Sequence, residues 1–392
     1  MKLIDKLFKR NIKLSANYSD LQAQGFLSSG VTQSGQYVTE ESALKLSAVY
    51  ACIRILAESC GSLPLMLYRR DGSGRKERAY NHGLYHLIHD APNPFMDSIT
   101  FFELMVGHCA LRGNSFAKIE RDGRGDVTAI YPLLPQNMSV KIENNTLIYD
   151  YSSSTYQARL RPYEVLHLKG LSFDGIIGMS PISTMREVIG RCQAVNEYAN
   201  RYFSNDARPN GILTHPNVLS ETALQTLKNS WKSNFSGENR HSTAILEEGM
   251  KFESVGLSPQ DSQLIDAQKF SVIDVARAFR IPPNLLQDHE RSTYSNVTEQ
   301  NRSFVIHTML PWLKRIEQAC NRTLLTESER KSYYFEHKLD NLLRGDQKTR
   351  YECYEIGLKN GFLSKNDVRN FENMTPVEGG DSYLNESETQ KE

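Results

Sequence analysis

An imbalance of charge is what this sequence most conspicuously lacks. Its 392 residues carry 46 Lys+Arg against 46 Asp+Glu, so the formal net charge is zero. A protein that holds nucleic acid by electrostatics alone shows a basic excess, and there is none. Long apolar runs are also missing, which excludes a membrane-spanning chain. Apolar residues still make up 39%, with 16 Phe and 19 Tyr, too many for a disordered polymer. The length predicts two to three domains.

The six cysteines, at 52, 60, 109, 192, 320 and 353, include no C-x-x-C and no Cys/His set with zinc spacing. They read as buried small hydrophobes of a reducing compartment. MKLIDKLFKR has cations but no apolar stretch or cleavage site of a secretory signal. The expectation is a protein made in a cytoplasm and kept on that side of any membrane. Catalytic motifs are scarce too. GSGRK at 72–76 lacks the spacing of a phosphate-cradling loop, and no G-x-S-x-G elbow occurs. His82, His86 and His89 have the only metal-like spacing. Asp90 is expected to point elsewhere, so surface or half-buried histidines are the better reading. Asp261 and Asp266 are five apart and do not share a helix face. Arg201-Tyr202-Phe203 and Arg330 to Phe335 mix bases with aromatics, a weak signal for base stacking that packing at element ends explains better. No cofactor and no metal is expected.

What is present is organisation. Residues 1–40 read as a flexible arm, with Lys2, Lys6, Lys9 and Arg10 alternating with apolar residues before a Ser/Gly/Gln-rich stretch. An alternative is an arm that orders on a neighbouring subunit or lipid surface. From Glu41, apolar residues at helical spacing run to Gly61, read as a C′ glycine. LPLMLYRR is a strand and RRDGSGRK a turn. Two further helices cover His82–His89 and, capped by Asp97 or Ser98, the stretch closed by Gly113. Five short strands follow, giving an α+β domain.

Pro181 then starts a long helix with a narrow seam of Ile182, Met185, Ile189, Cys192, Val195, Ala199 and Tyr202. A small insertion, 207–258, contains GILTHP as a strand, a helix N-capped by Ser220, and two strands joined at Glu248-Gly249. A second long helix runs from Pro259 to about Arg280, stopped by Ile281-Pro282-Pro283. QDHERSTYSN, 287–296, is a polar loop. A third long helix, about Val297 to Leu325, holds Pro311 inside it, which predicts a kink near His307–Pro311. A helix at 346–358 closed by Gly361, a short helix capped by Ser364 with Asp367, and a polar, disordered tail complete the chain.

Several segments resemble the HK97-type family of bacteriophage portal proteins. They include LSAVYACIRILAESCGSLPLMLYRR, HGLYHLIHDAPNPFMD and GNSFAKIERDGRGDVTAIYPLLPQNMSV. FSVIDVARAFRIPPNLLQD with STYSNVTEQNRSFVIHTMLPWLKRIEQ, and YEIGLKNGFLSKNDVRNFENMTPVEGGD, extend the resemblance to about residues 44–383. The resemblance implies an α+β portal fold: an α+β wing, two long stem helices flanking a small α/β clip, a kinked spine helix and a short helical crown. It assigns 1–40 to the arm, 41–181 to the wing, 182–206 and 259–283 to the stem, and 207–258 to the clip. The tunnel loop falls at 284–297, the spine and its return at 298–345, the crown at 346–375 and the tail at 376–392. It implies a non-enzymatic homo-oligomeric ring, a dodecamer in the particle, assembled in a host bacterial cytoplasm and placed at the capsid's portal vertex. Double-stranded DNA would pass through it without sequence specificity. Terminase, the major capsid or scaffold protein and a head-completion adaptor would be its partners.

Within that frame the tunnel loop, Asp288, His289, Glu290, Arg291, Ser292, Thr293, Tyr294 and Ser295, lines the channel. Arg291 is the candidate phosphate contact, or else pairs with an acid. Tyr294 is placed to press on the duplex by shape. Two other classes remain open: a nuclease-like DNA-processing enzyme, and a monomeric adaptor.

Overall fold

In the computed structural model the described residues are 31–70, 76–204, 211–214, 220–226, 229, 251–254, 272–286, 294–338, 347–372 and 374–383. They belong to two compact units. One comprises Met1–Ile53, Phe173–Gly175 and Met179–Asp288; the other comprises Arg54–Ser172, Ile176–Gly178 and His289–Glu392. Helices and small antiparallel sheets alternate, an α+β fold.

In the first unit α1 (Glu40–Leu44) starts at Thr39, whose side chain forms a capping box with Ser42. The next helix, α2 (Ser47–Gly61), begins in this unit and continues into the other after Ile53; it buries Val49, Cys52, Ile53, Leu56, Ala57 and Cys60 at steps of three and four. Pro181 occupies the first position of α5 (Pro181–Thr184), capped by Ser180, and α6 (Arg186–Ser204) follows. Of the expected seam, Ile182 of α5 and Ile189, Cys192 and Ala199 of α6 are buried, Met185 and Val195 are half-buried, and the side chain of Tyr202 lies outside the described residues. Residues 272–279 are helical and bury Val275, Ala276 and Phe279. They end in a Schellman turn, with Arg280 at φ 57° and Ile281 N donating to Ala276 O, before the two prolines. In the insertion β9 (Gly211–Thr214) pairs antiparallel with β10 (Lys251–Ser254), and Ser220 Oγ accepts from Ala223 N. The expected hairpin turn at Glu248-Gly249 and the helix residues 259–271 lie outside the described residues.

The arm requires a correction. Residues 31–39 are not a free tail. They turn at Gly35 and dock on α6. Thr32 is buried against Gly190, where a Cβ would stand 2.6 Å from its methyl group. Gln33 N donates to Glu187, Gln36 Nε2 donates to Glu197 at 2.7 Å, and Gln193 Nε2 donates to Ser42. The Ser/Gly/Gln composition that reads as flexible supplies the small and amide groups of this contact.

The second unit holds three antiparallel sheets. One has the order β11 (Tyr333–His337), β1 (Leu65–Arg70), β2 (Lys76–Arg78); it extends the expected strand on both edges. Another has the order β4 (Val127–Leu133), β3 (Asn114–Arg121), β8 (Val165–Lys169), and the last β5 (Met138–Glu143), β6 (Thr146–Ser152), β7 (Gln157–Leu160). Phe116, Leu133 and Val165 from the former and Tyr149, Tyr151 and Leu160 from the latter form one buried cluster. The helices α3 (Gly83–His89) and α4 (Ser98–Arg112) sit where expected. Asp97 caps α4, and Gly113, at φ 78°, closes it. Gly61 is not the C′ glycine that the sequence suggests. It is the last residue of α2, where a Cβ would come 2.6 Å from Glu103 Cγ, so its role is the close approach of α4.

The long third helix has three parts: α7 (Tyr294–Ser303), a π-helical stretch Phe304–Met309, and α8 (Leu310–Thr323). Pro311 lacks a donor, and its ring crowds the carbonyl four residues back. The wider π turn lies immediately before it, with Leu310 N bonding Val305 O. At the C-terminus are α9 (Gln347–Lys359), closed by Gly361 at φ 70°, and α10 (Lys365–Phe371), with its Ser364–Asp367 capping box. Residues 376–383 of the polar tail are ordered, contrary to expectation, and 384–392 lie outside the described residues. Buried Asn366 binds Val377 N, Val377 O and Asp381, and its backbone N–H donates to Gly380 O.

Candidate channel elements and relationship to known proteins

Several groups with catalytic potential among the described residues are tied up structurally. Burial pushes the thiols of Cys52, Cys60 and Cys109 up to about 12 and Cys320 still higher, so none is a nucleophile at neutral pH. Cys353 departs from the expectation of burial and is exposed. His167, held neutral chiefly by burial and further by Lys169 and Arg322, bonds Asn114 Oδ1 through Nε2 at 3.0 Å. Tyr149 OH lies 3.2 Å from its Nδ1. Asn114 in turn binds both backbone groups of Gly178, at 2.6 Å and 2.8 Å. The network satisfies buried polar groups and holds the start of β3 to Gly178.

The histidine triple is dispersed. His82 is the N-cap of α3, its Nδ1 accepting from Leu84 N and its Nε2 3.1 Å from Glu329. Asp90 does not point away as expected, because it closes the C-terminal end of α3. There His86 Nδ1 lies 2.7 Å and His89 Nδ1 2.5 Å from its two oxygens. Among the described residues no group of three or more His, Cys, Asp or Glu is arranged to hold a metal ion. The aromatic-basic run at 330–335 is sheet packing. Tyr334 of β11 stacks on Tyr68 at 5.8 Å with Arg70 over its ring, and Phe335 is buried. The side chains of Arg201, Tyr202 and Phe203, like Asp261 and Asp266, lie outside the described residues.

Of the eight tunnel-loop residues, Asp288, His289, Glu290, Arg291, Ser292 and Thr293 lie outside the described residues. Tyr294 and Ser295, expected in the loop, are in the first turn of α7. A 3₁₀ turn, Pro283–Leu286, is the described element before these residues, and α7 is the one after them. Sequence reasoning missed the polar clamp at Asn114 and the arm contact at Gly190. A lone Asn before a strand and a lone Gly in a helix carry no periodic signal. Among the described residues no helix is long and apolar enough to cross a membrane.

Residues 47–373 match the family of phage portal proteins. The chain is 34% identical over 367 residues to the probable portal protein of Streptomyces phage phiC31, covering 89% of this chain and 79% of that protein. It is 31% identical over 355 residues to the portal protein of Enterobacteria phage HK97, covering 90% and 84%. Its fold matches the neck of an empty GTA particle with a TM-score of 0.65 at 21% identity, covering 92% of this chain and 94% of that one. The HK97 family phage portal protein from Corynebacterium diphtheriae matches at TM-score 0.54 and 17% identity, covering 82% and 99%. The chain belongs to the phage portal protein family. It is a structural component of the portal through which phage DNA is packaged, located at the portal vertex of the virion.

Proposed function

We propose that copies of this chain close into a ring around a channel for double-stranded DNA, with twelve subunits in the particle. The observation that carries the reading is the family match across residues 47–373. The fold likeness to the neck of the native GTA particle, treated with C12 symmetry, supports it at TM-score 0.63. The narrow seam of α6 leaves the other faces polar, which suits a helix with one side on a neighbour and another on a hydrated channel. In this reading 41–181 is the wing, 182–206 and 259–283 the stem, 207–258 the clip, and 346–375 the crown. Residues 298–345 form the spine and its return, kinked at Pro311.

Terminase docks on the clip, head-completion adaptors later use the same surface, and capsid or scaffold protein meets the wing. A net-neutral chain suits transport, since dense phosphate neutralisation would hold the duplex instead of passing it. Arg291 touches phosphate and Tyr294 meets the duplex by shape. Deleting Asp288–Ser295 tests the assignment. Rings are expected to persist by native mass spectrometry while packaged DNA per particle falls at least about tenfold. Loss of rings would refute a channel loop and indicate an interface segment. A wild-type chain that stays monomeric at high concentration would refute the ring itself.

A further inference from the structure

The basic segment 2–14 has no task in the channel reading. Its sequence, KLIDKLFKRNIKL, carries five cations, Lys2, Lys6, Lys9, Arg10 and Lys13, against the single acid Asp5. In a chain whose net charge is zero, five minus one is a local excess of +4. On a helix each residue advances by about 100°. At that spacing Leu3, Ile4, Leu7, Phe8, Ile12 and Leu14 fall within one half of the circumference, about 180°. The five cations fall within about 100° of the opposite half. Asn11 is the one polar residue on the apolar side. This is the pattern of an interfacial helix, apolar on one side and basic on the other.

The structure fixes the root of this segment. Residues 31–39 are bound to α6: Thr32 is buried against Gly190, and Glu187 and Glu197 accept from Gln33 N and Gln36 Nε2. Val31, where the described fold begins, is 69% exposed, so the arm joins the fold at its surface. The linking residues 15–30 can reach at most about 55 Å from there. A short helix is marginal in water on its own and forms where a surface takes up its apolar side. A duplex offers charged phosphate to the cations and nothing to six apolar side chains. A protein core takes the apolar side, but clustered cations resist desolvation there. An anionic bilayer answers both: the apolar side chains enter the acyl boundary while the lysines and the arginine stay among the headgroups.

We propose that residues 2–14 lie in the plane of an anionic phospholipid surface as an interfacial helix and tether the protein there through the root on α6. The segment lies on the bilayer and does not cross it. One short helix of this kind binds reversibly. Copies joined in the ring proposed above act together, and that gain alone rests on the ring reading. The test floats the full chain with vesicles of phosphatidylglycerol and phosphatidylcholine, and with vesicles of phosphatidylcholine alone. The wild type is expected to float with the anionic vesicles only. Leu7→Ser with Phe8→Ser, and separately Lys6→Glu with Lys9→Glu and Arg10→Glu, are each expected to reduce the floated fraction at least about tenfold. Both sets lie ahead of the docked residues 31–39, so circular dichroism and the thermal transition are expected to match the wild type. A wild type that does not float, or a Leu7→Ser, Phe8→Ser chain that floats as well as the wild type, overturns the proposal. Duplex DNA is the other occupant to test. If the charge reversals abolish DNA binding while the wild type fails to float, the segment is a phosphate contact and the lipid anchor is refuted. Native mass spectrometry of the same samples reads the ring separately. A monomer that floats supports the anchor and refutes the ring, and rings that do not float do the reverse.

Discussion

Gly178→Ala is expected to destabilise the protein by roughly 3 kcal/mol, combining overpacking with the loss of two buried hydrogen bonds. A Cβ at this position would stand 2.0 Å from Gly113 O and 2.8 Å from Gly170 N. These are backbone atoms, which cannot rotate away. Gly170 N itself donates to Gly113 O at 2.8 Å, so the three glycines form the neck of the 170–178 loop. Moving Gly178 breaks both of its bonds to Asn114, and with them the support of His167 and Tyr149. Asn114→Ala removes the clamp without the clash and is expected to cost less than Gly178→Ala. Urea denaturation of both variants decides the matter. A Gly178→Ala midpoint indistinguishable from the wild type would show that the neck yields without strain.

Glu317→Ala is expected to cost about 1–3 kcal/mol near neutral pH, the range for leaving a buried donor without its acceptor. Glu317 on α8 is buried, and its Oε1 accepts from the backbone N–H of His337 at 3.0 Å and lies 3.2 Å from that ring's Nδ1. Lys314 donates to Oε2 at 2.7 Å, but from a half-exposed position where solvent weakens the pair. Burial alone raises the carboxyl's pKa. The bonds from His337 and Lys314 outweigh it and leave the group below the ordinary glutamate value. A depressed folded pKa gives stability that is complete above the unfolded value and is lost as pH falls through the folded one. The stability gap between wild type and Glu317→Ala should therefore hold from pH 7 to about pH 5 and narrow on further acidification. Urea titrations at several pH values measure it. A gap constant down to pH 3 would mean that the carboxyl titrates alike in the folded and unfolded chain, and a gap that widened would mean that it is neutral in the native state.

Most elements were legible because they announce themselves locally. Asp97 and Gly113 bracket α4, and Ser364 with Asp367 caps α10, as the side-chain chemistry of caps requires. The strands β3, β4 and β8 stand out as short runs of β-branched and aromatic residues between turn signals. β11 was hidden. Its residues follow a helix and mix bases with aromatics, and only pairing with β1, where Leu65 faces His337 and Arg69 faces Tyr333, makes them a strand. Asp90 was misjudged because the helix geometry used to aim it does not apply to a C-cap residue with φ −105° and ψ −63°. The arm was misjudged because composition cannot reveal that Thr32 has a glycine to pack on.

The sequence by itself determined the α+β class, the caps that bound α4 and α10 and, through ordered motifs spread along the chain, the portal family. Those features depend on local periodicity, caps and residue identity, which survive without coordinates. Tertiary structure alone decided which glycines are steric necessities, which polar residues are buried clamps, and that residues 31–39 are seated on α6. These depend on contacts between residues far apart in sequence. The neutral charge, read first as a reason to exclude DNA binding, is compatible with a channel. Charge balance is a property of the whole chain, whereas contact with a passing duplex is made by the few side chains that the fold directs toward it.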